Sequence, residues 1–159
     1  MADCVEKMGV SIERGKENWV IHGGRELLVP PKGNLDCGNS ATAAKILSFI
    51  VACFDSPVVI DGDSSLRKRD FTQLTKTLVD LGCEVSSDNL PFEIIGPISG
   101  GRTSIDESVS SQTVTGIILA SAGLEKQIEV SLFGDAVSRW YRDLTIEICN
   151  HCGWSGKFD

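Results

Sequence analysis

The sequence of 159 residues has few cations, one tyrosine and no long apolar run, and these shortages exclude several classes of protein. Its 15 Lys and Arg are outnumbered by 22 Asp and Glu, which gives a formal net charge of −7. An acidic chain without a long basic tract is a poor candidate for binding nucleic acid. The longest apolar run, residues 46–54, is interrupted by Ser48 and is shorter than the roughly 18 residues that span a bilayer. We therefore expect neither nucleic acid nor a membrane as a partner.

The sequence also lacks the cysteine pattern of a secreted disulfide protein or of a zinc site. Residues 1–7 contain no signal-peptide core, so we predict a cytoplasmic protein whose six cysteines are reduced thiols, some of them in the core. Cys149 and Cys152 have the C-x-x-C spacing, but no second such pair exists, and His22 is the only histidine besides His151. This ligand set is too small for a structural zinc site, and we expect no metal.

What the sequence does contain is an internal repeat. Glycines, apolar runs and charged turns recur in phase at offsets between 71 and 73 residues. We therefore predict two repeat units, at about residues 9–81 and 82–153, within a single domain to which the whole of residues 1–159 belongs. The recurring pairs include Gly9 with Gly82, Gly62-Asp63 with Gly134-Asp135, and Arg69-Asp70 with Arg142-Asp143.

Each unit predicts the same series of elements: a hairpin, an almost wholly apolar helix, a strand and an amphipathic helix. The fold class is α/β (α+β), with repeated β-α-β-α-β-β units of about 72 residues. Asp70 and Gln73 have the spacing of a capping box at the start of the first amphipathic helix. The predicted hairpins are 10–13 with 19–21 and 83–86 with 92–95, the apolar helices 42–54 and 113–122, the strands 57–60 and 128–132, and the amphipathic helices 71–81 and 141–150.

Polar segments precede the predicted helices at four places. Helix N-termini carry unpaired N–H groups and a partial positive charge, so they attract anions. Ordinary N-capping explains any one of these segments. Four together, one of them a run of three cations in an acidic protein, predict an anionic ligand instead. The segments are residues 39–40, 67–69, 110–112 and 138–139.

The same segments resemble motifs of the enolpyruvyl transferase family. Residues 35–42 (LDCGNSAT) are similar to L-x-x-G-N-[SA]-G-T, and residues 62–69 (GDSSLRKR) resemble the G-[DE]-x-S-L-x-x-R-P turn. Residues 106–112 (DESVSSQ) resemble D-G-S-x-S-S-Q, and residues 137–141 (VSRWY) resemble V-S-x-P-Y. In this order they match the 5-enolpyruvylshikimate-3-phosphate synthase branch of the family, and the resemblance extends over nearly the whole chain.

The resemblance implies an activity and a binding site for one substrate. The reaction is transfer of the enolpyruvyl group of phosphoenolpyruvate to the 5-hydroxyl of shikimate 3-phosphate, in the shikimate pathway to chorismate and aromatic amino acids. The family uses no metal or organic cofactor. By resemblance, Ser110, Ser111 and Ser138 bind the phosphate of shikimate 3-phosphate, Gln112 lies between both substrates, and Tyr141 shapes the shikimate pocket.

The resemblance also assigns the phosphoenolpyruvate side, where Arg69 pairs with that substrate beside Gln112 and Ala41. Ala41 replaces the glycine of the family motif. Its extra methyl group is expected to crowd the herbicide glyphosate more than the smaller substrate, which predicts a glyphosate-tolerant site. Tight inhibition of a full-length enzyme that carries Ala41 would contradict this. Asp70 replaces the motif proline and is expected to cap the next helix, while Trp140 replaces the proline beside Tyr141.

The resemblance further implies a partial first domain. The family's Lys-Ser-x-x-x-Arg segment and its second domain have no counterpart here, so the catalytic residues are expected outside this chain and the rest of the synthase is an expected partner. Glu107, the carboxylate nearest the Ser-Ser-Gln segment, is predicted to be a solvated loop residue. Two alternatives stay open: a non-catalytic anion-binding module on the same fold, and a sister enzyme such as the one that acts on UDP-N-acetylglucosamine.

Overall fold

The computed structural model describes residues 1–124, 126–154 and 156 and has mixed α/β architecture, which confirms the predicted fold class. Its α-helices are α1 (Ala2–Lys7), α2 (Ala41–Val51), α3 (Thr72–Asp80), α4 (Ser111–Ser121) and α5 (Arg139–His151). Its strands are β1 (Ser11–Arg14), β2 (Trp19–His22), β3 (Leu35–Asp36), β4 (Pro57–Asp61), β5 (Glu84–Val85), β6 (Phe92–Ile95), β7 (Gly101–Asp106) and β8 (Ile128–Phe133).

The strands form three small sheets. β1 and β2 pair as an antiparallel hairpin, and β5 and β6 form a second one, so both predicted hairpins are confirmed. The second hairpin joins a four-stranded sheet of order β3-β4-β6-β5, in which β3 and β4 are parallel and β4 and β6 antiparallel. β7 and β8 form a parallel pair. β3 and β7 occupy the place of the strand before the first helix in the predicted β-α-β-α-β-β unit, but no residues were predicted for them, since β3 has two residues and β7 is largely polar.

The order hairpin, strand, helix, strand, helix occurs twice along the chain. α1, α3 and α5 are each followed by a glycine in the left-handed region, Gly9, Gly82 and Gly153, with φ of 97°, 91° and 89°. Glycine ends a helix in this conformation without the steric penalty of a Cβ atom. The recurrence supports the division into units at residues 9–81 and 82–153, which stays a prediction.

The core lies around the packed pair α2 and α4, the two helices whose apolar sequences predict burial. Leu47 and Phe49 of α2 and Val114 and Ile118 of α4 are at most 2% exposed. The helices approach closely at Gly116, where a Cβ atom would lie 2.5 Å from Cδ2 of Phe49. A residue without a side chain at this crossing lets the two helix axes come close together. This close packing fixes the positions of the ends of α2 and α4 relative to each other.

The capping box predicted at the start of α3 does not form, because Phe71 rather than Asp70 is at the N-cap position. The carboxylate of Asp70 accepts hydrogen bonds from the backbone N–H and the hydroxyl of Thr72, at 2.9 and 2.6 Å. Gln73 does not return to Asp70: its Oε1 accepts from the backbone N–H of Asp106 at 3.1 Å. α3 packs against β7, so a tertiary partner replaces the local one. Asp70 thus satisfies the first N–H group of α3 from the position before the N-cap and is not itself the predicted cap.

Four cysteines lie in the core, as the sequence predicts: Cys4, Cys37, Cys83 and Cys149 are buried. Burial, which disfavours the thiolate, raises the pKa of Cys37 to about 12 and that of Cys83 to about 11. The folded state therefore keeps protons that the unfolded chain releases above the ordinary thiol pKa of 9.0. These two thiols contribute to the free energy of unfolding in full below pH 9. That contribution is lost as the pH rises toward their pKa values in the folded state.

Cys37→Ala is accordingly expected to make the alkaline fall in stability shallower. The free energy of unfolding, measured by urea denaturation in reductant between about pH 9 and 11, should decline less steeply than in the parent chain. Cys152→Ala, at an exposed thiol, is the matched control and should keep the parent slope. Equal slopes for the parent and Cys37→Ala would contradict the assignment.

None of the helices that the structure describes has both the length and the hydropathy needed to cross a membrane.

Candidate functional site

The N-termini of α2 and α4 are linked at one end of the helix pair. Ser40 caps α2 by accepting from the N–H of Ala43 at 3.1 Å, and Ser110 caps α4 by accepting from the N–H of Gln112 at 3.2 Å. The ammonium group of Lys45, one turn into α2, donates to Oγ of Ser110 at 2.9 Å. Two positive helix ends and one cation are thus gathered in one place, as an anion site requires.

Lys45 is the cation that sequence reasoning missed. It is half-buried, and burial lowers the pKa of its ammonium group, with Asp70 opposing and Arg69 adding to the shift. The available signal was a single cation in an otherwise apolar helix, residues 41–51. Sequence reasoning considered only the polar residues that precede helices. Lys45 reaches the site because its side chain extends back toward the helix start.

Arg69, predicted to pair with phosphoenolpyruvate, lies beside the start of α2. Its Nη2 donates to Oδ1 of Asn39 at 3.0 Å, which places it two residues from Ala41 along the chain. Asn39 is neutral, so this contact leaves the guanidinium charge of Arg69 uncompensated. The contact brings Arg69 to the segment that directly precedes α2, which begins at Ala41.

Arg67 does not add to the positive charge of the site, contrary to the prediction from the run of three cations. Its Nε and Nη2 bind both carboxylate oxygens of Asp61 at 2.9 and 2.7 Å. This contact holds the pKa of Asp61 below its ordinary value. Lys68 forms no ion pair with any residue that the structure describes. The local positive charge comes from Arg69, Lys45 and the helix ends.

A small cavity connects the turn before α3 to the start of α4. The polar residues Lys45, Asp70, Gln73, Ser110 and Thr113 line it, together with the apolar side chains of Phe71, Leu74 and Val109. The Nε2 atom of Gln73 is buried without a hydrogen-bonding partner among the described residues. The cavity brings the turn at residues 62–70 and the Ser-Ser-Gln segment to the same place.

Glu107 is not the solvated loop residue that the sequence predicts. It is 5% exposed, and its two carboxylate oxygens accept from Nη1 of Arg142 at 2.7 and 2.6 Å. The backbone oxygen of Glu107 also accepts from the N–H of Val137 at 3.4 Å. The Glu107 carboxylate can be buried because the guanidinium of Arg142 balances its charge and satisfies its hydrogen bonds. Sequence reasoning missed the partner, which lies 35 residues away.

The Glu107–Arg142 pair joins the Ser-Ser-Gln segment to the start of α5, where Ser138 and Tyr141 lie. Ser138 is at the N-cap position of α5 but its side chain does not cap, and Tyr141 is 67% exposed. Ser111 is buried at the first position of α4. Neither Ser138 nor Tyr141 contacts residues 110–112 through a side-chain hydrogen bond in the described structure. The hydroxyls of Ser111, Ser138 and Tyr141 and the amide of Gln112 are thus unengaged by described side chains.

Comparison with known proteins identifies the family. The family model of EPSP synthase (3-phosphoshikimate 1-carboxyvinyltransferase) matches residues 1–155. A 3-phosphoshikimate 1-carboxyvinyltransferase of Methanosarcina acetivorans is 34% identical over 152 residues, which are 93% of this chain and 35% of that protein. One from Rhizobium etli is 33% identical over 150 residues, or 91% of this chain and 36% of that protein. The chain therefore spans about a third of the length of these relatives.

Solved structures agree with the sequence relatives. EPSP synthase from Acinetobacter baumannii superposes with a TM-score of 0.83 at 28% identity, over 99% of this chain and 36% of that one. The enolpyruvyl transferase NikO from Streptomyces tendae, at 18% identity and a TM-score of 0.60, shares the fold over 94% of this chain and 34% of its own. The match of the family model over residues 1–155 shows that the chain belongs to the EPSP synthase (3-phosphoshikimate 1-carboxyvinyltransferase) family.

Proposed function

We propose that the chain supplies part of the substrate site of an enzyme that transfers the 1-carboxyvinyl group of phosphoenolpyruvate to the 5-hydroxyl of shikimate 3-phosphate. The hydroxyl oxygen forms a C–O bond to the vinyl carbon, the bond from that carbon to the phosphate oxygen breaks, and inorganic phosphate leaves with the proton that the hydroxyl loses. The observation that carries the proposal is the meeting of two capped helix starts with Lys45 and Arg69. Family membership supplies the substrate class.

Shikimate 3-phosphate is assigned to the start of α4. The hydroxyls of Ser110, Ser111 and Ser138 donate to its phosphate group, and Tyr141 closes the shikimate side. The N-terminal amides of α4 add the partial positive charge that favours a phosphate there. Lys45 orients the hydroxyl of Ser110 through its hydrogen bond and adds a full positive charge behind it.

Phosphoenolpyruvate is assigned to the start of α2, between Ala41, Arg69 and Gln112. Arg69 is exposed and forms no ion pair with the part of the chain that the structure describes, so it is available to a carboxylate or phosphate group. Ala41, the first residue of α2, places a methyl group beside that position, and the predicted tolerance of glyphosate belongs to this proposal. A cytoplasmic location stays a prediction from the sequence.

The cations and helix ends of the site reduce the electrostatic repulsion between the two substrates. Both substrates are polyanions, and their mutual repulsion has to be neutralised before the hydroxyl of one can reach the vinyl carbon of the other. Lys45, Arg69 and the two helix ends supply this neutralisation in a chain whose net charge is −7. Gln112 is neutral and lies at the start of α4, where it can bond to both substrates without adding charge.

Proton transfer is assigned to residues outside this chain. Glu107 is the carboxylate nearest to the Ser-Ser-Gln segment along the sequence, but both its oxygens are bound by Arg142. A general base needs a free lone pair within hydrogen-bonding distance of the proton it removes. Asp106 has one of its two oxygens engaged, since Oδ1 accepts from the N–H and the hydroxyl of Ser108 at 2.9 and 2.6 Å.

Isothermal titration calorimetry of this chain with shikimate 3-phosphate tests the proposal. The Ser110→Ala/Ser111→Ala variant is expected to bind at least about 100-fold more weakly, because it loses two hydrogen bonds to a charged group at about 1.5 kcal/mol or more each. Ser110→Ala also removes the cap of α4, which lowers stability by about 1 kcal/mol. Circular dichroism at the titration temperature checks that the variant remains folded.

A double serine variant outside the site is the matched control. Ser87 and Ser104 are exposed, in the second hairpin turn and on β7, and Ser87→Ala/Ser104→Ala should keep the parent affinity. Undiminished binding by the folded Ser110→Ala/Ser111→Ala variant would overturn the assignment.

A further inference from the structure

Glu107 makes three contacts with the segment that runs from the end of β8 into α5. Its backbone N–H donates to the carbonyl oxygen of Phe133 at 2.9 Å, and its own carbonyl oxygen accepts from the N–H of Val137 at 3.4 Å. Its carboxylate accepts from Nη1 of Arg142 at 2.7 and 2.6 Å. These contacts lie on both sides of Ser138, so one residue holds the segment that carries this hydroxyl.

Ser138 is not held in place by its own side chain. It is the N-cap residue of α5, but its hydroxyl accepts no hydrogen bond from the N–H groups of the helix start. Its carbonyl oxygen accepts from the N–H of Tyr141 at 3.0 Å, which closes the first turn of α5. The neighbouring residues Val137, Arg139 and Trp140 are exposed, so packing restrains this turn little. The position of the hydroxyl therefore depends on the contacts that precede and follow it.

Two departures from the family motifs occur at this place. Glu107 stands where D-G-S-x-S-S-Q has glycine, and Trp140 stands where V-S-x-P-Y has proline. A proline fixes its own φ at about −65° and so restrains the start of a helix. Trp140 provides no such restraint and is 84% exposed. The chain thus lacks the local restraint of the motif at the start of α5, and the contact of Glu107 with Arg142 is a tertiary restraint at the same place.

Burial makes this contact a strict one. The side chains of Glu107 and Arg142 are shielded from water, whereas those of the ion pair between Arg102 and Glu129 are 83% and 61% exposed. An exposed pair can separate because water solvates both of its charges. A buried pair has no such alternative, since separation leaves a buried charge without a partner. The start of α5 is therefore held in one position relative to the Ser-Ser-Gln segment.

We propose that Glu107 and Arg142 are positioning residues, which hold Ser138 where its hydroxyl donates to the phosphate group of shikimate 3-phosphate. The proposal rests on the proposed function, because it takes Ser138 as a ligand of that phosphate. Ser110, another such ligand, caps α4 three residues after Glu107, so Glu107 links the two serines. Glu107 and Arg142 act through Ser138 and do not contact the substrate.

Calorimetric titration with shikimate 3-phosphate tests the proposal through the pair variant Glu107→Gln/Arg142→Met, which leaves no buried charge. This variant should bind about 10-fold more weakly than the parent chain, and so should Ser138→Ala, because each loses one hydrogen bond to a charged group. Adding Ser138→Ala to the pair variant should have little further effect, since the hydroxyl is already displaced. The triple variant should thus be weakened about 10-fold rather than the about 100-fold of independent losses.

Nitrogen-15 relaxation of the ligand-free chain tests the same restraint without a substrate. In the pair variant, the backbone order parameters of residues 137–140 should fall from the value of about 0.85 for rigid backbone toward the values below about 0.6 of flexible segments. Those of α4 should not change, because α4 packs against α2 independently of the pair. A loss of stability alone would leave the order parameters of the folded state unchanged.

Arg102→Met/Glu129→Gln is the matched control, because it makes the same two chemical changes at the exposed ion pair between β7 and β8. It should keep the parent affinity and the parent order parameters. Circular dichroism checks that each variant is folded. If the pair variant is unfolded, Glu107→Ala replaces it, since Arg142 then still has Asp143 within 3.4 Å.

Three results would overturn the proposal: a folded pair variant that binds like the parent, a triple variant weakened by the full product of the two losses, or unchanged order parameters at residues 137–140. In each of these cases a parent chain that binds shikimate 3-phosphate leaves the proposed function standing. A parent chain that does not bind it would overturn the proposed function and this proposal together.

Discussion

Arg142→Met is expected to lower the free energy of unfolding by about 3–5 kcal/mol, because it leaves a buried carboxylate without its charge partner. The side chains of Arg142 and Glu107 are 15% and 7% exposed, and both carboxylate oxygens depend on the one guanidinium. Methionine keeps the apolar volume of the arginine stem, so the loss reports on charge and hydrogen bonding rather than on a cavity.

Urea denaturation at neutral pH measures this effect. Glu107→Gln/Arg142→Met removes both charges and should recover part of the loss, since no unpaired carboxylate stays buried. Arg139→Met is the matched control: its contact with Asp143 is 3.6 Å long and the Arg139 side chain is 71% exposed, so a change of about 1 kcal/mol or less is expected. A folded Arg142→Met chain within about 1 kcal/mol of the parent would contradict the buried pair.

Phe49→Ala is expected to cost a similar amount, about 3–5 kcal/mol, because it opens a cavity where α2 meets α4. Phe49 is 0% exposed, and Gly116 on α4 lies against its ring. The same contact predicts that Gly116→Ala is destabilising in the parent chain, by about 1–3 kcal/mol, although alanine favours a helix more than glycine does.

Combining the two substitutions separates packing from helix propensity. Once Phe49 is truncated, the added methyl at residue 116 no longer meets its ring, and the Lys45 oxygen 3.1 Å from that methyl position is the remaining close contact. Gly116→Ala should therefore cost less in the Phe49→Ala background than in the parent, with a coupling energy of about 1 kcal/mol or more in a double-mutant cycle. Additive effects would show that the crossing of α2 and α4 is not as close as described.

Local signals were sufficient for much of the fold. The hairpins, the two apolar helices and the amphipathic α3 and α5 all follow from periodicity and turn residues, within the usual uncertainty at their ends. β3 and β7 could not be found in this way. β7 (Gly101–Asp106) carries Arg102 and Ser104 on its exposed side and is a strand because β8 pairs with it along its length.

The site residues also differ in whether the sequence reveals them, depending on whether their partners are local or distant. Residues that precede helices, such as Ser110 and Ser40, could be recognised because capping is a local property. Lys45, Glu107 and Gln73 could not, because each depends on a partner distant in sequence: Ser110, Arg142 and Asp106. A buried carboxylate and a solvated one look alike in a sequence, and only the approach of Arg142 distinguishes them.

The resemblance to enolpyruvyl transferases contributed what local patterns could not, namely which anions to consider. Four polar helix starts predict an anion site in general, whereas the order of four motifs indicates two specific substrates. In the structure, two contacts bring cations to the helix starts at which the anion site is predicted. Arg69 contacts Asn39, and Lys45 contacts Ser110.

The central claim is that the starts of α2, α4 and α5 and the turn at Arg69 form one substrate site. Backbone amide chemical shifts of the ¹⁵N-labelled chain, recorded during titration with shikimate 3-phosphate, test it most directly. We expect saturable changes that are largest at residues 110–113 and 138–141, with smaller ones at Lys45 and Arg69, and none in the β5–β6 hairpin. Shikimate without its phosphate should produce much smaller changes. Changes centred on another part of the chain, or no saturable change at millimolar ligand, would contradict the account.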